Sequence, residues 1–514
     1  MNVATLIESS ARLFPDRTAL ICGPARLSYA ELDRMASRLA HGLVGLGVKP
    51  GDKVALTCPS RGEFAISYFA ILKTGAVAVP LNPLLKRDEI AQQLRDSEAV
   101  VYLCHEGTPD SPLGRHGFDA FQATPGCREF RAIPDDPQGL SVLSECRSWR
   151  DLHHGQPDVF ESVDLPNDAS CSITFTSGTT GVPKGAEHSH AGEYLSAVLV
   201  RHEHGIRHDD VGLSAVPLFG AFRCSILLTT FLTGSTIVIM PRFSPEDVWR
   251  AMARERVTVF HGVGPMLHRL YETVESSGIA LDAIAGQWRL CISGGAALSP
   301  AVHRFFEERL GVDIRIGYGA TEIILATVDR YTANDTPGAI GRPVGGVQIR
   351  LVDDKMNDVP PGEVGEIIVR SPTCMKRYYN DDEATRQALA GGWFHTGDLA
   401  RQDAGGGLCL VGRSKDMINR GGYKVYSAQI ENVLMTHPAV ANCAVIGVPD
   451  ERYGEEVKAC VVLKEGAQCT ADELVAWARD RVAAFAYPRQ VEFMDSLPIG
   501  ATGKVLKRLL KFRK

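Results

Sequence analysis

Residues 172–185 hold the densest grouping of chemistry-bearing side chains in the sequence: Ser172-Ile173-Thr174-Phe175-Thr176-Ser177-Gly178-Thr179-Thr180-Gly181-Val182-Pro183-Lys184-Gly185. An apolar run passes into hydroxyls, glycines and one lysine. Glycines let a backbone approach a polyphosphate closely. Hydroxyls and free N–H groups bind its oxygens, and a lysine supplies positive charge. The segment therefore predicts a strand entering a phosphate-binding loop. Val182-Pro183 before the lysine and Gly185 after it depart from the GxxxxGK[ST] loop of P-loop NTPases.

Four further motifs follow in order. They are Gly317-Tyr318-Gly319-Ala320-Thr321-Glu322, then Gly392-Trp393-Phe394-His395-Thr396-Gly397-Asp398, then Gly412-Arg413-Ser414-Lys415-Asp416, continued by residues 418–425, and last Leu497-Pro498 with Thr502-Gly503-Lys504. With the loop they resemble the adenylate-forming superfamily of acyl-CoA synthetases, adenylation domains and luciferases, over nearly the whole chain. The nearest likeness is to AMP-forming acyl-CoA ligases.

The resemblance implies a two-step reaction. A carboxylate attacks the α-phosphorus of ATP with release of pyrophosphate, and the acyl group then passes to the thiol of coenzyme A. Loading of a carrier protein's phosphopantetheine is the alternative. Such chemistry rests on positioning and charge stabilisation. By resemblance, Thr176, Ser177, Gly178, Thr179, Thr180, Gly181 and Lys184 bind the phosphates. Thr321 contacts the α-phosphate, and Glu322 holds Mg²⁺ through the oxygen ligand that a hard cation prefers. Gly294, Gly295 and Ala296 form a platform beside adenine and the acyl group. Tyr318 stacks on adenine, with Gly319 beside it. Asp398 takes the ribose hydroxyls, supported by Arg413. Lys415 is the hinge, Gly421, Gly422 and Lys424 serve CoA, and Lys504 bridges carboxylate and phosphate. Phe219, Arg223 and His261 are candidates for the acyl pocket.

Arg223 is unexpected beside an apolar pocket. It either pairs with an acidic group on the substrate or points to solvent, the commoner place for an arginine. Where many relatives carry histidine after Pro217-Leu218-Phe219, this chain has Gly220. Arg377 replaces a glycine common before Tyr378, and the sequence offers no account of it. Three histidine pairs, 153/154, 188/190 and 202/204, join no cluster with metal-ligand spacing. Surface or capping roles are expected for them, with His190 in the helix after the phosphate loop.

Short apolar runs alternating with amphipathic ones must position these residues. Ser28 with Glu31 forms a capping-box pattern. Strands are expected at 53–57, 76–80, 235–240, 257–260 and 290–293, and helices at 63–73, 245–254 and 300–310. This rhythm implies an α/β protein with helix-covered parallel sheets. Residues 104–160, rich in Gly, Pro, Asp and His, read as a long surface connection with little structure of its own. Past Gly338 antiparallel strands are expected, and the resemblance makes this part β-barrel-like. A boundary near Arg413 divides a large N-terminal domain, residues 1–413, from a small mobile α+β C-terminal domain, residues 414–514.

The chain has 514 residues, 45% hydrophobic and 23% charged, with net charge −6. Such length requires more than one core, and the charge does not suggest nucleic acid as the main partner. Thirteen scattered cysteines without a CxxC spacing argue against a disulfide framework or zinc ribbon, and fit a reducing cytoplasm. The N-terminus lacks a signal-peptide pattern, and the run 225–240 is too interrupted to span a membrane. An ATP sensor without catalysis is disfavoured, because loop, Glu322, Asp398 and Lys504 are all present.

Overall fold

The computed structural model describes residues 1–108, 111–136, 143, 145–176, 182–275, 278, 281–294, 300–329, 338–499 and 505–511. Local signals set many elements as expected. Ser28 accepts from the backbone N–H of Glu31, and Glu31 closes the capping box at the start of helix Tyr29–Gly45. Ser244 caps helix Pro245–Arg254, whose proline occupies the first turn. The expected strand at 257–260 lies two residues later, at Val259–Gly262.

Two large sheets carry the N-terminal part. In the seven-stranded sheet, Val77–Leu81, Lys53–Thr57, Ala99–His105 and Glu129–Ile133 run parallel, with Ser170–Phe175 parallel to Val77–Leu81. Gly185–Ser189 and then Arg377–Tyr378 extend its other edge antiparallel. The thirteen-stranded sheet has a parallel centre of Thr18–Cys22, Thr236–Ile239, Val211–Ser214, Val259–Gly262, Leu290–Gly294 and Asp313–Tyr318. Its far side is antiparallel and ends with Phe394–Gln402, Val364–Arg370 and Gln348–Val352. This is the part expected to be barrel-like. Among the described residues its strands continue the open sheet and do not close.

Helix Gly62–Lys73 is buried along its length. With helix Tyr29–Gly45 it contributes to the apolar cluster beneath both sheets. From Ile418 on, a five-stranded sheet carries its own core of Ile418, Val425, Ile430, Leu434, Val445, Val461 and Leu474, among others.

The described residues of 104–160 do not form a loose connection. They complete strand Ala99–His105 and form helix Leu113–Gln122, strand Glu129–Ile133 and helix Arg150–His153. Phe130, Ile133, Trp149 and Leu152 are buried there. The indole N–H of Trp149 donates to Ser67 Oγ on helix Gly62–Lys73 at 3.0 Å, which ties the segment to the core.

Candidate nucleotide and acyl site

Strand Ser170–Phe175 delivers Thr176 at the mouth of the phosphate loop. The backbone N–H of Thr176 donates to the Lys184 carbonyl at 2.9 Å. The Lys184 N–H returns a hydrogen bond to Thr176 Oγ1 at 3.1 Å. The loop is thus clasped at its base, with Lys184 at the exit. Ser177, Gly178, Thr179, Thr180 and Gly181 lie outside the described residues.

The ammonium of Lys184 sits 5.0 Å from the centroid of the Tyr378 ring, within range of a cation–π contact. The hydroxyl of Tyr378 donates to Glu322 Oε1 at 2.6 Å. One tyrosine on the edge strand of the seven-stranded sheet therefore touches both the loop lysine and the expected metal carboxylate. Burial comes first among the causes that push the Tyr378 phenol up, with the Glu322 charge next, so it stays a donor at neutral pH. The neighbouring carbonyl of Thr321 is bound by His188 Nε2 at 2.8 Å. His188 is 1% exposed, which overturns its expected surface role. Its ring fixes the segment carrying Thr321 and Glu322.

Strand Asp313–Tyr318 brings Tyr318 to the same region. Its hydroxyl donates to Asp398 Oδ2 at 2.8 Å, and Arg413 Nε donates to Asp398 Oδ1 at 2.8 Å. Both carboxylate oxygens are oriented from opposite sides. The Tyr318 ring is largely buried in the antiparallel part's apolar cluster. Gly319 passes so close to Ile324 that a Cβ would stand 2.0 Å from the Ile324 carbonyl oxygen. No side chain fits there, which explains this glycine within the motif.

Lys415 is exposed in the short turn Ser414–Asp416. Its ammonium pKa is lowered, first by burial and next by Arg413, with Asp398 and Lys184 also acting on it. Lys184, Asp398, Arg413 and Lys415 thus share one electrostatic neighbourhood. Gly421 and Gly422, with φ of 58° and 91°, turn the chain between strands Ile418–Arg420 and Tyr423–Val425, the latter carrying Lys424. Gly295, Ala296 and Lys504 lie outside the described residues.

Arg223 does not point to solvent. It is 1% exposed and pairs with Glu193, itself fully buried, at 2.5 Å. It also donates to Ser172 Oγ at 2.7 Å, to Thr174 Oγ1 at 3.0 Å and to the Gly220 carbonyl at 3.3 Å. Tyr68 donates to the other oxygen of Glu193 at 2.6 Å. Burial opposes the charge on Glu193, yet Arg223 and the hydroxyls of Ser172 and Tyr68 hold its pKa below the ordinary value. Arg223 therefore braces the strand leading to the phosphate loop, and its charge is matched within the protein. Its neighbours Phe219 and Phe222 are half-buried, and Phe222 lies beside Gly294. Arg377, unexplained in the sequence, faces Glu187 across the antiparallel register and pairs with it at 2.6 Å.

The remaining histidines divide. His190 opens helix His190–His204 and is buried, with Nδ1 accepting from the backbone N–H of Val3 at 3.1 Å. His204 is buried as well, against its expected surface place, while His202 is exposed. Among the described residues no cluster of His, Cys, Asp and Glu could hold a metal ion. His188, Glu193, Phe222 and Tyr378 had no functional assignment from sequence, because each acts through contacts between distant segments.

The AMP-binding enzyme model matches residues 7–379, and the AMP-binding enzyme C-terminal domain model matches residues 429–504. A feruloyl-CoA synthase of Amycolatopsis sp is 37% identical over 500 residues, covering 97% of this chain and 96% of the relative. An anthranilate CoA ligase in complex with anthranoyl-AMP superposes with a TM-score of 0.89 at 30% identity, covering 99% of this chain and 96% of its own. ATP-bound MatB from Rhodopseudomonas palustris gives 0.89 at 31% identity, covering 99% and 98%. The chain belongs to the AMP-binding enzyme family.

Proposed function

We propose that this protein is an AMP-forming acyl-CoA ligase whose acid is an aromatic monocarboxylate. The activity is that of its family: ATP converts a carboxylic acid to the acyl-adenylate with release of pyrophosphate, and the acyl group passes to the thiol of CoA. The observation carrying this reading is the set of contacts that joins Lys184 to Glu322 through Tyr378, with the Tyr318–Asp398–Arg413 chain in the same electrostatic neighbourhood. Asp398, oriented by two donors, accepts the ribose hydroxyls. Lys184 and the loop hydroxyls take the phosphates, and Thr321 meets the α-phosphate. Gly294 and its neighbours Gly295 and Ala296 flank adenine and the acyl group. Glu322 offers a carboxylate suited to Mg²⁺, which would neutralise charge on the phosphates.

Lys504 is assigned to the carboxylate and α-phosphate during adenylation. Gly421, Gly422 and Lys424 are assigned to CoA, and Lys415 to the hinge between residues 1–413 and 414–514. The separate sheet and core beyond Ile418 support that division. A carrier-protein phosphopantetheine is the second acceptor to test. No described helix is long and apolar enough to cross a membrane. The cysteines among the described residues, all free thiols, support a cytoplasmic place.

The aromatic reading draws on the feruloyl-CoA and anthranilate-CoA relatives. The monocarboxylate reading draws on Arg223, whose charge Glu193 already matches. A second carboxylate buried without a partner is costly. With CoA and ATP present, AMP release should proceed with benzoate- and cinnamate-type acids. With oxalate or malonate it should be lower by about 10²-fold or more. A dicarboxylic acid as the preferred substrate would overturn this assignment.

A further inference from the structure

The apolar cluster beside Phe222 and Gly294 holds a polar group that the adenylation chemistry does not use. Val259 and His261 project from the same face of strand Val259–Gly262. In the parallel register Val259 stands beside Leu290 and His261 beside Ile292. Val259, Leu290, Ile292 and Ile206 form a small apolar cluster against which Phe222 packs. Phe222 reaches back to Gly294, where its ring carbon lies 3.4 Å from the position of a Cβ. The wall thus runs from the proposed acyl and adenine platform along Phe222 and Ile292 to His261.

His261 is 3% exposed, and its Nδ1 has no hydrogen-bond partner. Its Nε2 lies 3.5 Å from where Gly212 would carry a Cβ, so the ring fills space that the glycine leaves. The hydroxyl of Ser214 on the adjacent strand serves the Val216 N–H and the His261 carbonyl, not the ring. Buried polar atoms are almost always paired, so an orphaned ring nitrogen in an apolar wall points to a partner that arrives with the ligand. Burial lowers the imidazole pKa to about 4. The ring is then neutral and offers one donor and one acceptor, but no charge. A neutral hydroxyl, itself donor and acceptor, can pair with either ring nitrogen and brings no charge into the apolar wall.

We propose that His261 determines specificity by hydrogen bonding a hydroxyl carried on an otherwise apolar aromatic acid. This inference rests on the aromatic-acid reading above. The test compares kcat/KM for 4-hydroxycinnamic acid and cinnamic acid, by CoA-dependent AMP release, in the parent protein, His261→Leu and His261→Asn. The parent should prefer the hydroxylated acid by about tenfold or more, the scale of one net hydrogen bond. His261→Leu should bring the ratio close to one by losing activity on 4-hydroxycinnamic acid, while its KM for ATP stays at the parent value. His261→Asn keeps a donor and an acceptor and should retain part of the preference. A merely structural role would lower both acids together and leave the ratio intact, and that result would overturn the proposal. A parent protein without preference would overturn it as well. Activity on neither acid in the parent would overturn the aromatic reading and this inference with it.

Discussion

Lys504→Ala is expected to slow acyl-adenylate formation by about 10²–10³-fold, the usual cost of removing one preorganised charge from a developing negative centre. Its ammonium is assigned to the charge that grows between the attacking carboxylate and the α-phosphate. The same substitution should leave the second half-reaction near its parent rate, because thioester formation is assigned to the face carrying Gly421, Gly422 and Lys424. Acid-dependent exchange of pyrophosphate into ATP measures the first step. Conversion of supplied acyl-adenylate and CoA to thioester measures the second. Loss in the first assay alone fits the assignment. Equal loss in both, or near-normal exchange, would make Lys504 one of several solvated tail lysines and remove the C-terminal unit from adenylation.

Arg223→Met should be severely destabilising, by about 3–5 kcal/mol, because it leaves the Glu193 carboxylate buried without its cation. The damage should reach function, since Arg223 also holds Ser172 and Thr174 on the strand that ends at the phosphate loop. Removing both charges, in Arg223→Met with Glu193→Leu, should recover most of the stability. Replacing a buried pair by apolar side chains of similar volume is often neutral or better. Thermal denaturation of the parent, both single variants and the double variant closes the cycle. A double variant no more stable than Arg223→Met would show that packing around the guanidinium, not the unpaired charge, dominates.

The history of Arg223 shows where sequence reading stops. Its partner Glu193 lies thirty residues earlier on a helix, and no spacing rule connects them. Arg377 is similar: its pairing with Glu187 appears only once the antiparallel register is known. Tyr378 gains meaning from touching Lys184 and Glu322, and the three residues come from separate stretches of chain. By contrast, the phosphate-loop composition, the Tyr318–Glu322 motif, Asp398 and Arg413 could be singled out as candidates because each sits in a short run of residues with a recognisable order. The capping box at Ser28 and the helix over Pro245–Arg254 were legible for the same local reason.

The misreading of residues 104–160 has a different physical cause. Gly and Pro in that stretch read as loop punctuation, yet several glycines serve close packing. Gly114, inside helix Leu113–Gln122, lies so near the residue that follows strand Ala99–His105 that a Cβ would stand 2.4 Å from the Glu106 carbonyl oxygen. A glycine admitted by contact looks, in one dimension, like a glycine required by a turn. Strand Ala99–His105 is buried on both faces, so it reads as a continuous apolar run without the alternation of a half-exposed strand.

The central claim is attack of a carboxylate at the α-phosphorus of ATP, followed by capture of the acyl group by CoA. Phosphorus-31 NMR of the products from ATP, CoA and a cinnamate-type acid tests it most directly. The account predicts AMP and pyrophosphate in equal amounts, formed only when the acid is present, with one thioester per AMP. ADP and inorganic phosphate as the products would contradict it.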